Sequence, residues 1–120
     1  MERYTIEGLI EAYEEYGDVI PCVYNYIKIP HHGSENAGNL IEFLRLEDGE
    51  KSEFASTSVF INNDLPRKQV LQAYKEVVEQ IACTSNINVP HYGCGVICLT
   101  FDLYLQTVNP IFYGAAEYVY

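Results

Sequence analysis

The five residues Pro30-His31-His32-Gly33-Ser34 bring together the side chains in this sequence best suited to chemistry. A histidine at the end of a strand can aim its ring into a metal cleft, and neutral imidazole is a good zinc or manganese ligand. Gly33 lets the backbone pass close to such a site, and Ser34 can cap a following helix. His31 is nearer the strand end and is the favoured ligand, with His32 second. The plainer alternative is that both are turn residues. Ser34 beside His32 is not a nucleophile–base pair, because adjacency in sequence does not set hydrogen-bond geometry. His91 lies in Val89-Pro90-His91-Tyr92-Gly93, a loop with turn chemistry, and reads as a solvated residue. The cysteines stand at 22, 83, 94 and 98 and form no CxxC pair. Cys94 and Cys98 would share one face of a strand, too far apart to build a tetrahedral site by themselves. They are expected to be reduced and to act as small hydrophobes. No GxSxG, P-loop or dinucleotide fingerprint is present.

The elements around the histidines follow from periodicity. Ile6, Leu9, Ile10 and Tyr13 make one apolar helical stripe, so a helix is predicted over 5–16, capped by Thr5 and ended by Gly17. Residues 22–29 are rich in Val, Tyr and Ile and read as a strand that Pro30 stops. A second helix is predicted from near Asn36, with Leu40, Ile41, Phe43 and Leu44 buried. A polar loop at 47–52 leads to a strand over 54–61. Pro66 opens a third helix, predicted over 66–81 on the stripe Val70, Leu71, Tyr74, Val77, Val78 and Ile81. A short strand at 81–85 and a loop at 86–95 precede strands at 96–106 and 111–120, joined as a hairpin near Asn109-Pro110. The order α-β-α-β-α-β plus a terminal β-hairpin predicts one layered α/β domain over 1–120.

The stretch Tyr26-Ile27-Lys28-Ile29-Pro30-His31-His32-Gly33-Ser34-Glu35-Asn36-Ala37 resembles the late histidine motif of metallo-β-lactamase-fold hydrolases. The likeness is greatest to the type found as the soluble domain of bacterial DNA-uptake channels, where a strand of the form LKVPHHGS ends at the metal centre. Thr57-Ser58-Val59-Phe60-Ile61, Asn63-Asp64-Leu65-Pro66 with its following helix, and Ile81-Ala82-Cys83-Thr84-Ser85 are similar to the elements that come next in that family. The resemblance implies one half of an αββα sandwich, with His31 or His32 as one metal ligand and Gly33 and Ser34 supporting the motif. The family's earlier half carries an HxHxDH motif, a further histidine and a bridging aspartate, and this sequence has none of them. Asp18 is not that aspartate, since it follows the helix that the family's residue precedes. One or two histidines do not hold a catalytic dinuclear centre. The chain alone is therefore expected to bind no cofactor and to show no metal-dependent turnover. Zinc or manganese is expected only if a partner supplies the other ligands.

Composition narrows the partners. The 120 residues include 17 acidic and 7 basic side chains, for a net charge of −10. That charge repels phosphate backbones and argues against direct nucleic-acid binding. No segment reads as a signal peptide or a membrane span, so a cytoplasmic, membrane-free protein is expected. Eleven tyrosines suit half-buried surfaces and interfaces. By alternation Tyr24 and Tyr26 fall on one face of the histidine-bearing strand, which three helices on the other face would leave uncovered. The expectation is an interaction subunit completed by a second copy or a partner chain. A split metallohydrolase subunit and a shortened product of a larger hydrolase are the alternatives.

Overall fold

A computed structural model of the protein describes residues 3–17, 19–58, 66–84, 96–113 and 116–117. The chain is mixed α/β. The helix α1 (Arg3–Tyr16) and the strand β1 (Tyr26–Lys28) are followed by α2 (Leu40–Leu44), β2 (Ser52–Thr57), α3 (Lys68–Tyr74) and β3 (Val78–Cys83). The strands β4 (Val96–Asp102), β5 (Thr107–Tyr113) and β6 (Ala116–Glu117) complete it. Four strands form one sheet in the order β1-β2-β3-β6, with β1, β2 and β3 parallel and β6 antiparallel to β3. β4 and β5 form a separate antiparallel ribbon. Among the described residues, no helix is long and apolar enough to cross a membrane.

Strand alternation divides the core between the two faces of the sheet. On one face Ile27, Ala55 and Ile81 meet Ile6 of α1, Leu40, Phe43 and Leu44 of α2, and Val70, Leu71 and Tyr74 of α3. On the other, Phe54 and Ala82 meet Val108, with Tyr26, Ile97, Leu99 and Phe112 packed around them. The helices thus cover one face and the β4–β5 ribbon covers the other. Glu53 fastens the ribbon: its carboxylate accepts from the Val108 amide at 2.7 Å and from Asn25 Nδ2 at 3.0 Å. Asn25 Nδ2 also donates to the Gln106 carbonyl at 2.9 Å.

Several predicted boundaries move. α1 includes Arg3, which pairs with Glu7 one turn on and with Glu42 of α2, so Thr5 is inside the helix and not at its start. Of the strand predicted over 22–29, β1 itself takes only Tyr26–Lys28. Upstream, the Tyr24 amide donates to the Ser52 hydroxyl instead of to a ladder carbonyl. The second helix opens as a 3-10 turn over Glu35–Asn39 before becoming α-helical at Leu40. β2 starts at Ser52, two residues early, because the Ser52 amide donates to the Val77 carbonyl at 2.9 Å. Residues 59–61 lie outside the described residues. α3 ends at Tyr74, and Val78 and Ile81 belong to a strand, where β-branched residues fit the pleat.

The ribbon turns at residues 103–106 and not at Asn109-Pro110. The Asp102 carboxylate accepts from the Tyr104 and Leu105 amides, both at 3.0 Å, and Gln106 takes a positive φ of 55°. Pro110 sits inside β5 opposite Leu99, which is tolerable in a ribbon edge.

Tyr24 and Tyr26 do not share a face. Tyr24 packs on the helix side, and its hydroxyl donates to the Pro21 carbonyl at 2.6 Å. Tyr26 lies under the ribbon, stacked on Phe54 with centroids 6.0 Å apart and sharing a 2.6 Å hydrogen bond with the Ser56 hydroxyl. The sheet face expected to be open is covered because the chain folds its own ribbon across it.

Candidate functional site

In open sheets with parallel strands, ligands gather at the carboxyl ends of the strands. Here that edge collects the histidine pair after β1, Thr57 and Ser58 at the end of β2, and Cys83 and Thr84 at the end of β3. Pairing continues past the formal end of β1, since the Ile29 amide donates to the Ser56 carbonyl at 2.8 Å. Pro30 then breaks the ladder and a single tight turn runs through Gly33. His31 (φ 51°, ψ 36°) and His32 (φ 53°, ψ 28°) are both left-handed, as is Gly33 (φ 75°), so this is no regular right-handed helix. Left-handed backbone costs roughly 1–2 kcal/mol at each residue with a side chain, and the surroundings must hold it in place.

Two hydrogen bonds do so. The Ser34 amide donates to the His31 carbonyl at 3.0 Å, and the Arg67 amide donates to the Gly33 carbonyl at 2.9 Å. The second bond ties the turn to the start of α3. Ser34 makes no side-chain bond to the helical turn that follows, so its expected capping role is not seen.

Both imidazoles are exposed. They differ in support, however: His32 Nδ1 is hydrogen-bonded to the hydroxyl of Ser58, which is half-buried. That contact orients the ring and engages Nδ1. Distance from the strand end favoured His31, but the neighbouring strand orients His32. Ser58 was not singled out from the sequence. The register Lys28↔Ser56 brings it alongside the turn, and that register is set by pairing across 28 positions of chain.

Beside this pair, the Thr84 amide donates to the Thr57 carbonyl at 2.9 Å and continues the ladder. Burial pushes the Cys83 thiol up, which disfavours its thiolate and makes it a poor nucleophile. Cys22 is buried and Cys98 is exposed on the ribbon. Among the described residues, no group of three His, Cys, Asp or Glu side chains is placed to hold a metal ion. His91, Cys94, Asp18 and the segment Asn63-Asp64-Leu65 lie outside the described residues. The edge as described can orient one imidazole and offer hydroxyl groups beside it. In comparisons with family models, curated proteins and solved structures, nothing matches this chain.

Proposed function

We propose that this chain is a non-catalytic interaction subunit, built like one half of an αββα metallo-β-lactamase sandwich, and that the β4–β5 ribbon is the element it presents to a protein partner. The half-sandwich reading is supported by the parallel β1-β2-β3 order, the helices on one face and the histidine pair at the β1 exit. The observation that carries the interaction reading is the ribbon tip. Leu103, Tyr104 and Leu105 are 89%, 94% and 64% exposed, and Val96, Phe101 and Ile111 are each half exposed. Single exposed apolar residues are ordinary, but three in a row at a tip, Leu103 to Leu105, mark an interaction surface.

In extract from expressing cells, the chain is expected to elute from gel filtration well above its 13.7 kDa. The combined variant Leu103→Ser, Tyr104→Ser, Leu105→Ser should elute as a monomer with unchanged circular dichroism. Identical elution of both at the monomer position would sink the proposal.

The Ser58–His32 contact favours a second reading, in which a partner chain completes a metal centre and His32 supplies one ligand. Metal-ligating histidines commonly have their second ring nitrogen fixed by such an outer hydrogen bond. Zinc analysis of the complex recovered from extract tests it. His32→Ala should remove most of the bound zinc and His31→Ala should remove little. Equal zinc in the wild type and both variants would exclude this reading.

A further inference from the structure

The ribbon's partner can be named from its charge and its place in the fold. We infer that the outward face of the β4–β5 ribbon docks on the same face of a second copy of this chain. The inference rests on the interaction reading above and supplies its partner.

Charge is segregated along the chain. Between Thr84 and Ala116 the only Asp, Glu, Lys or Arg side chain is Asp102. The other 16 of the 17 acidic residues, and all 7 basic ones, lie outside that span. The Asp102 carboxylate is occupied by the Tyr104 and Leu105 amides of its own turn. The ribbon therefore offers no charge that would draw either a basic or an acidic partner. A neutral, apolar surface fits it, and its own outward face is one.

Alternation fixes what that face holds. Ile97, Leu99, Val108 and Phe112 point into the core, so Val96, Cys98 and Thr100 of β4 and Asn109 and Ile111 of β5 point out. Apolar side chains are concentrated at both ends, Val96 and Ile111 at the base and Leu103 to Leu105 at the tip. A strand of seven residues spans roughly 24 Å. Two ribbons laid antiparallel about a two-fold axis place each tip over the other's base, which is an isologous, closed contact. A standard interface needs about 800 Å² from each partner. A fully buried aromatic contributes roughly 150–250 Å², so Tyr104 supplies about a quarter of that, and Leu103, Leu105, Val96 and Ile111 add to it.

The fold also removes the electrostatic objection to joining two chains of net charge −10. The helices, with Glu7, Glu11, Glu14 and Glu15 on α1, are on the far side of the sheet from the ribbon. Stacked layers lie about 10 Å apart, so two ribbons between two sheets separate the helix layers by more than roughly 30 Å. The Debye length at physiological salt is only about 8 Å.

The test is sedimentation equilibrium of the purified full chain from 1 to 100 μM, chosen to bracket a micromolar dimer. Twice the 13.7 kDa monomer mass is expected at the upper end. Tyr104→Ser with Leu105→Ser, and separately Val96→Lys with Ile111→Lys, should each weaken dimerisation at least tenfold while near-ultraviolet circular dichroism is unchanged. A short bismaleimide should cross-link the wild-type dimer through Cys98 and fail with Cys98→Ser. A monomer at every concentration overturns the second copy as partner; if the chain still elutes in a ribbon-dependent complex from extract, the interaction reading survives without it. A dimer indifferent to both double variants places the interface elsewhere and also overturns the inference. Ribbon-dependent flotation of a monomeric chain with phosphatidylcholine vesicles would replace the second copy with a lipid surface.

Discussion

Tyr74→Ala is expected to destabilise the chain by about 3–5 kcal/mol, measured as the loss in urea unfolding free energy. Small domains have only about 5–15 kcal/mol in total, so the variant should be partly unfolded at room temperature. Tyr74 is the last residue of α3 and has no exposed surface. Its ring joins the cluster between α2, α3 and the sheet, and its hydroxyl donates to the Ala37 carbonyl in the 3-10 turn after the histidines. Truncation therefore opens a cavity and also removes one of two hydrogen bonds that the Ala37 carbonyl accepts, the other coming from the Leu40 amide. Tyr74→Phe separates the two effects: the cavity is avoided, and the cost should fall to about 0.5–1.5 kcal/mol, since the Ala37 carbonyl keeps the Leu40 amide.

The same residue predicts alkaline unfolding. Burial pushes the Tyr74 phenol above its ordinary pKa of 10.0. The unfolded chain then releases that proton first, so Tyr74's contribution is complete below pH 10 and is lost as pH rises from 10 towards the folded value. The slope over that window is about 1.4 kcal/mol per pH unit for one proton. Tyr74→Phe should flatten the fall. A residue of it should persist from Tyr13, which its hydrogen bond with Glu47 and then burial raise to about 12. A fall above pH 10 that is as steep in Tyr74→Phe as in the wild type would show that Tyr74 is not the group responsible.

Gly33→Ala is expected to cost about 2–5 kcal/mol, although only one methyl group is added. Gly33 has φ 75°, and a Cβ there would lie 2.5 Å from Pro66 Cβ and 3.2 Å from Pro66 Cα. The cost is the left-handed strain, roughly 1–2 kcal/mol, plus overpacking against a rigid ring, roughly 1–3 kcal/mol. Gly49 is the matched control: its φ is 81° and a Cβ there meets nothing within 4 Å. Gly49→Ala should show the strain alone. Equal losses at the two positions would mean that the turn does not press on Pro66. Relief of the Gly33 clash would also pull at the Arg67 amide and at the turn that carries His32, so the NMR shifts of both histidine rings should move in Gly33→Ala and stay put in Gly49→Ala.

Local patterns settle a good part of this fold. The stripe Ile6, Leu9, Ile10 and Tyr13 makes α1, and Pro30 with Gly33 brackets the histidine turn after β1. These features depend on neighbours within a few residues, where periodicity and backbone restriction act directly. Val78 and Ile81 are different. They satisfy a helical stripe and a buried strand equally well, and pairing with β2 at Ser52↔Val78 and Ala55↔Ile81 selects the strand. The ribbon's turn is set by where the Asp102 carboxylate finds two amides, which outweighs the Asn109-Pro110 signal. The Ser58–His32 contact needs the parallel register of β1 and β2. Whether Tyr26 meets water depends on a ribbon that begins 70 residues further along the chain and folds back over Phe54. Each of these outcomes joins segments distant in sequence, and local propensities of about 1 kcal/mol or less are too small to predict them against burial and pairing summed over a whole sheet face.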